Sequence, residues 1–192
     1  PRAWEYRFRT PVNQYMDELV TNEVFYGITT WIKESLYFGL INPLNIFLKG
    51  LPWWYTSLIF TCIALLIGGR GLAIATAIGF LFIGTTDLWI LGMITLSTVT
   101  VSVLICFIVG VPLGILAAYN RTVDALLKPV LDTMQTMPVF VYLVPVIMLF
   151  GGGQIPAVIA TVIYALPPLV RCTTLGIREL PEEINEVSSS FG

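Results

Sequence analysis

The sequence predicts an all-α fold: a polytopic transmembrane helical bundle of about five spans, entered through an amphipathic helix at the membrane interface. Three observations carry this reading. Of the 192 residues, 56% are hydrophobic and only 11% charged, whereas a soluble domain is roughly 45–50% apolar and about 25% charged. The deficit is local: no Lys, Arg, Asp or Glu occurs in residues 88–119. Several such runs follow one another, and a soluble chain of this size lacks the polar surface to cover them all, whereas a bilayer asks for roughly 20 apolar residues per helix.

Residues 1–22 are polar, mixed in charge and aromatic-rich. The start Pro1-Arg2-Ala3-Trp4 has no initiator Met, short apolar core or cleavage site, so it does not read as a signal peptide, and the chain is expected to be cut at both ends. From Glu23 the period changes. Phe25, Ile28, Ile32, Leu36 and Leu40 recur at helical spacing with Lys33 and Glu34 between them, and Trp31, Tyr37 and Phe38 suit an interface. The same pattern fits a soluble helix packed on another subunit. Asn42-Pro43 is expected to break this helix.

The first span is expected over residues 51–67, opened by the interfacial cluster Pro52-Trp53-Trp54-Tyr55. Gly68-Gly69-Arg70-Gly71 reads as a turn, residues 72–86 as a second, short span, and residues 88–119 as a long or tilted third. Residues 120–129 read as a polar connection, residues 130–150 as a fourth span, Gly151-Gly152-Gly153-Gln154 as a tight exit, and residues 155–170 as a fifth. Residues 172–192 read as amphipathic and acidic. Positive charge orients these segments: Arg70, Arg121, Lys128, Arg171 and Arg178 fall in turns sharing one side, while the turns at Asp87 and residues 151–154 carry no Lys or Arg. This puts the basic turns in the cytoplasm and the N-terminal tail outside, with Lys49, Arg2, Arg7 and Arg9 opposing the rule.

Residue chemistry excludes several classes. There is no histidine, and Cys62, Cys106 and Cys172 lie in or beside apolar runs, reading as small buried hydrophobes rather than a disulfide or metal framework. No metal site and no catalytic residue is nominated. No basic-aromatic patch suggests nucleic acid. A membrane-embedded enzyme needs a catalytic cluster inside the spans, and only Asp132 approaches that depth. Gly151-Gly152-Gly153 lacks the lysine of a phosphate loop, so the chain is not expected to hydrolyse ATP.

Four features stand out. Pro112, Pro138, Pro145, Pro167 and Pro168 interrupt apolar segments; such breaks line translocation pathways, although proline is also simply commoner in membrane helices. Asp132 and Gln135, three residues apart before Pro138, suit either a solute path or a helix N-terminal cap region. Thr95, Thr98 and Ser102 share one face of the third span, for interhelical hydrogen bonding or a polar lining. Finally, Pro181, Glu182 and Glu183 open a short helix whose stripe of Ile184, Val187 and Phe191 requires a partner.

Glu186-Val187-Ser188-Ser189-Ser190-Phe191-Gly192 resembles the cytoplasmic loop Glu-Ala-Ala, three variable residues, Gly of ABC importer permeases, with Val187 and Ser188 replacing the alanines. It follows Gln135-Thr136-Met137-Pro138, Phe140-Val141-Tyr142-Leu143-Val144-Pro145, and Ala165-Leu166-Pro167-Pro168-Leu169-Val170-Arg171 with Leu175-Gly176-Ile177-Arg178. In that order the motifs resemble the permease subunit of glycine betaine/proline importers over roughly residues 53–192. The resemblance implies an ATP-driven importer of compatible solutes in a bacterial plasma membrane. Residues 1–50 would be an extracytoplasmic tail and interfacial helix, and residues 51–192 an incomplete permease domain ending in a coupling helix at 181–192. Pro181, Ile184, Glu186, Val187, Phe191 and Gly192 would seat in a cytoplasmic ATP-binding subunit, which would hold the ATP and Mg; the permease itself would need no cofactor. A second permease copy and an extracytoplasmic solute-binding protein would complete the assembly. The family pattern continues beyond Gly192, so the chain is expected to be a fragment. A permease for choline, carnitine or an amino acid, or a passive channel or scaffold, are the alternatives.

Overall fold

The computed structural model describes residues 23–180, so the expected tail at 1–22 and coupling helix at 181–192 lie outside the described residues. Helix accounts for almost all of the described residues, and no strand occurs among them. The helices are α1 (Glu23–Leu36), α2 (Asn42–Gly50), α3 (Trp53–Thr85), α4 (Trp89–Tyr119), α5 (Arg121–Thr136), α6 (Val139–Phe150) and α7 (Gln154–Arg178). The described residues divide into two compact units, residues 34–100 and residues 23–33 with 101–180, the boundary falling within α1 and again within α4.

In the unit of residues 34–100, the expected break at Asn42-Pro43 does not occur. Residues Tyr37–Ile41 form a π-helical turn, and Leu36 and Asn42 on either side keep α-helical dihedrals. The Asn42 N–H donates to the Tyr37 carbonyl, five residues back. Pro43 has no N–H to offer, so widening the preceding turn lets the helix carry on where a regular ladder would lose a bond.

The expected turn at residues 68–71 is present in a tighter form. Gly69 has φ 73° and ψ −167°, a region essentially restricted to glycine. It folds α3 into two antiparallel arms. Phe60 stacks on Phe80 with centroids 5.2 Å apart and planes 17° apart, and the Gly84 backbone sits against the Trp53 indole. In a straight helix, residues 60 and 80 would be about 30 Å apart. Cysteines at 60 and 80, in a chain with Cys62, Cys106 and Cys172 replaced, are therefore expected to cross-link through a short bifunctional thiol reagent; failure under conditions that label both singly would mean an unfolded, straight α3.

Among the described residues, three helices are long and apolar enough by length and composition to cross a bilayer: α3 with 33 residues, though folded at Gly69, α4 with 31 and α7 with 25. A fourth crossing requires α5 and α6 to act together across a 92° bend. The expected number of about five is higher than these three or four, because the two spans expected over residues 51–67 and 72–86 are the arms of α3, each about 24 Å long and shorter than the hydrocarbon core.

The expected continuous fourth span at 130–150 is corrected. Its first seven residues belong to α5, which is amphipathic rather than a polar loop, and the chain then breaks at Met137-Pro138. Met137 is extended, with φ −74° and ψ 129°, because the ring of Pro138 disfavours the helical region for the residue before it. What remains is α6, twelve residues and about 18 Å long, too short to span alone. The fifth span is also longer than expected: α7 runs through Pro167 and Pro168 to Arg178, taking in residues assigned above to the acidic terminal stretch.

In the unit containing residues 101–180, α7 packs against α5 and α6 and crosses the second half of α4. Gly110 of α4 faces Leu166 and Leu169, and Gly114 faces Thr173 and the Val170 carbonyl. This small-x-x-x-small spacing brings two backbones together where lipid offers no hydrophobic drive to do so. The Thr174 hydroxyl donates to the Gly114 carbonyl across the crossing at 3.0 Å. The cysteines only partly match expectation: Cys106 is buried, whereas Cys62 and Cys172 are exposed. An apolar residue on the rim of a membrane helix meets lipid tails, so burial is not required of it.

Candidate functional site

The polar chemistry of the described residues gathers at the ends of α4, α5 and α7. α4 stops at Tyr119, and Asn120 caps α5, its side-chain oxygen accepting from the N–H groups of Thr122 at 2.9 Å and Val123 at 3.3 Å. That cap sets the phase of α5. Asp124 in the first turn then pairs with Lys128 one turn on, at 3.2 Å, and with the Arg178 guanidinium at 3.0 Å. Arg178 also donates to the Ala117 carbonyl at 2.7 Å and to the Ala118 carbonyl at 3.5 Å. It therefore ties the last turn of α7 to the C-terminus of α4 and the start of α5, where a cation complements the negative helix end. Lys128 first, then Arg178, hold the Asp124 carboxyl below the usual carboxylate range.

Two turns along α5, Asp132 pairs with Arg171 of α7. The two ion pairs run in opposite chain order, as antiparallel helices demand. Between them lies a cavity of about 380 Å³, lined by apolar Ala117, Leu127, Leu131 and Val170 and by the four charged groups with Lys128 and Thr174.

Of the residues nominated from sequence as pathway candidates, Asp132 alone lines this cavity. It is not in a helix N-terminal cap region: it lies one turn from the C-terminal end of α5, exposed and paired, because the pre-proline break ends a helix where a span was expected to begin. Gln135 is exposed near the same end. Pro138 is the one nominated proline at a break; Pro112, Pro145, Pro167 and Pro168 lie inside continuous helices. Pro167 is buried, and Pro145 and Pro168 are exposed. Thr98 and Ser102 are buried, whereas Thr95 is exposed and returns its hydroxyl to the Leu91 carbonyl of its own helix. The coupling residues Pro181, Ile184, Glu186, Val187, Phe191 and Gly192 lie outside the described residues.

Sequence reasoning missed three contacts. One is the buried bond from the Ser97 hydroxyl of α4 to the Asn45 side-chain oxygen of α2, 2.7 Å. The others are the two ion pairs. Their signal was present: Asp124 and Asp132 stand eight apart, Arg171 and Arg178 seven apart, and both spacings are about two helical turns.

Residues 110–192 match the family model for binding-protein-dependent transport system inner membrane components. Similarity extends further. The chain is 39% identical over 183 residues to the glycine betaine/proline betaine transport system permease protein of Escherichia coli, covering 94% of this chain and 50% of that protein. It is 42% identical over 172 residues to the glycine betaine transport system permease protein of Bacillus subtilis, covering 84% and 61%. It is 37% identical over 185 residues to the glycine betaine/carnitine transport permease protein of Listeria monocytogenes, covering 94% and 64%. Residues 110–192 thus carry this family's inner-membrane component, and the chain is similar to glycine betaine permease proteins over 84–94% of its length.

The match marks a multi-pass inner-membrane component, in accord with the apolar helices α3, α4 and α7. The chain spans half to under two thirds of the length of the curated relatives it matches. The family match begins at Gly110, so it takes in the α4–α7 crossing, both ion pairs and the signature segment 186–192.

Proposed function

We propose that the chain is the transmembrane pathway subunit of an ATP-driven importer for glycine betaine-like compatible solutes. The observation that carries this reading is the similarity, over 84–94% of the chain, to permease proteins named for glycine betaine transport. In this reading two copies form the pathway, an extracytoplasmic binding protein selects and delivers solute, and cytoplasmic subunits bind ATP and Mg. The basic turns at Arg70, Arg121, Lys128 and Arg171 face the cytoplasm, with the N-terminal tail outside. Residues 181–192 act as the coupling helix: Pro181 starts it, Ile184, Val187 and Phe191 insert into the ATPase, and Glu186 and Gly192 fix the turn. Closure of the ATPases then swings the pathway from inward- to outward-facing. Asp132, with Gln135 and the 137–138 break nearby, forms the cytoplasmic part of the path; the buried Thr98, Ser102 and Pro167 serve helix packing along it, and the exposed Thr95, Pro145 and Pro168 remain candidates for its lining.

The test is uptake of radiolabelled glycine betaine into cells lacking their own betaine importers, with the full-length protein, its ATPase and its binding protein co-expressed. Uptake is expected to need all three. Glu186→Ala and Gly192→Phe are expected to keep membrane insertion while releasing the ATPase on purification or separating ATP hydrolysis from uptake. Solute movement without the ATPase, or an intact protein that never retains one, would instead indicate a passive channel or scaffold.

A further inference from the structure

Beside the Arg178 tie is a second cavity, of about 760 Å³, whose walls include Tyr119, Arg121, Asp124, Lys128 and Arg178, with Ala118 and Ala125 leaving the space open. Three cations surround one carboxylate. Asp124 is already shared by Lys128 and Arg178, and Arg121 makes no ion pair among the described residues. The site therefore keeps an excess of about two positive charges, one of them uncommitted. Its position in the fold is equally specific. It starts where the apolar α4 ends and the charged, amphipathic α5 begins, the depth at which hydrocarbon gives way to headgroups. Exposed apolar side chains adjoin it in sequence: Tyr119 in its wall is 77% exposed, and Leu116, three residues before Tyr119, and Leu126, next to Ala125, are 55% and 68% exposed.

We infer that this cavity binds the headgroup of an anionic phospholipid, its phosphodiester between Arg121 and Lys128 and its acyl chains along Leu116 and Tyr119. A soluble anion would use the cations but leave the exposed apolar frame unused. A neutral lipid would use the frame and leave the charge unmatched. Only a charged amphiphile satisfies both, and basic pockets at helix ends are where such lipids are held. The inference rests on membrane insertion and not on transport, so it survives or fails independently of the importer reading.

The experiment uses the full-length protein in nanodiscs of mixed phosphatidylglycerol and phosphatidylcholine, followed by delipidation and native mass spectrometry of the lipids retained. Wild type is expected to retain phosphatidylglycerol selectively. Arg121→Gln is expected to reduce that selectivity about fivefold, the factor for one surface cation, and Arg121→Lys to preserve it. Arg121 has no ion pair to lose, so an unchanged thermal transition will separate binding from folding. Equal retention of the two lipids by wild type, or unchanged selectivity in Arg121→Gln, overturns the inference. So does loss of selectivity on adding inorganic phosphate at constant ionic strength, which would mark a free-anion site.

Discussion

Gly114→Ala is expected to destabilise the purified protein by about 2 kcal/mol, the cost of overpacking a close-fitted contact, and Gly114→Leu to leave no folded protein to purify. A Cβ at Gly114 would stand 2.6 Å from the Thr173 Cβ, 2.9 Å from its Cγ2 and 3.0 Å from the Val170 carbonyl oxygen. None of these atoms is the far end of a flexible side chain, so relief requires α4 and α7 to separate. Separation also stretches the buried bond from Thr174 to the Gly114 carbonyl. Gly110 is the internal control. A Cβ there would meet Leu169 Cδ2 at 2.9 Å and Leu166 Cδ1 at 3.3 Å, both ends of side chains that can change rotamer. Gly110→Ala is accordingly expected to cost about 1 kcal/mol or less. Reversible unfolding in mixed micelles by titration with SDS reads both. If Gly110→Ala proves the more damaging, or Gly114→Ala matches wild type, α4 and α7 do not cross as described.

The fold class was legible because it depends on composition, which no tertiary detail can reverse. Turn chemistry was legible where glycine dominated, as at Gly68-Gly69-Arg70-Gly71, since a conformation closed to other residues advertises itself. Proline misled more than it informed. Pro43, Pro112, Pro167 and Pro168 were read as interruptions, yet a missing N–H is absorbed by a π-turn before Pro43 and inside continuous helices at the others. Pro138 did break the chain, but the run 130–150 is so apolar that hydropathy bridged the break and concealed a right-angled bend. The polar site was half legible. Asp132 was noticed as the charge nearest the depth of the spans, but its partner was not, because Arg171 is 39 residues away and only the antiparallel packing of α5 on α7 brings it close. Arg121 and Lys128 were read only as topology markers, and Arg178 as that and part of a motif, since a charge count records the side of the membrane and not what each charge holds.

Arg178→Met in the full-length protein is expected to lower solute moved per ATP hydrolysed by about tenfold, within the 1–3 kcal/mol range of coupling free energies between sites. The residue joins three elements at one point: it ends α7, donates to two carbonyls at the end of α4 and holds Asp124 in the first turn of α5. The chain leaves α7 two residues later for the segment proposed to couple to the ATPase. A push on that segment reaches α4 and α5 through this guanidinium sooner than through the apolar contacts deeper in the unit. The cost in stability is expected to be small, about 1 kcal/mol, because the side chain is partly solvated and exposed charged bonds return little. A large functional loss with a small stability loss is what separates a transmitting contact from a structural one. Arg178→Lys is expected to fall between, because an ammonium keeps the charge but cannot fork between a carboxylate and carbonyls of another helix. Asp124→Asn is expected to be milder than Arg178→Met, since the bonds to Ala117 and Ala118 remain. Proteoliposomes holding permease, ATPase and binding protein give both rates in one experiment. Should Arg178→Met transport as much solute per ATP as wild type, the guanidinium is a helix cap alone, and the force must travel from α7 into α4 through the glycine crossing at Gly110 and Gly114.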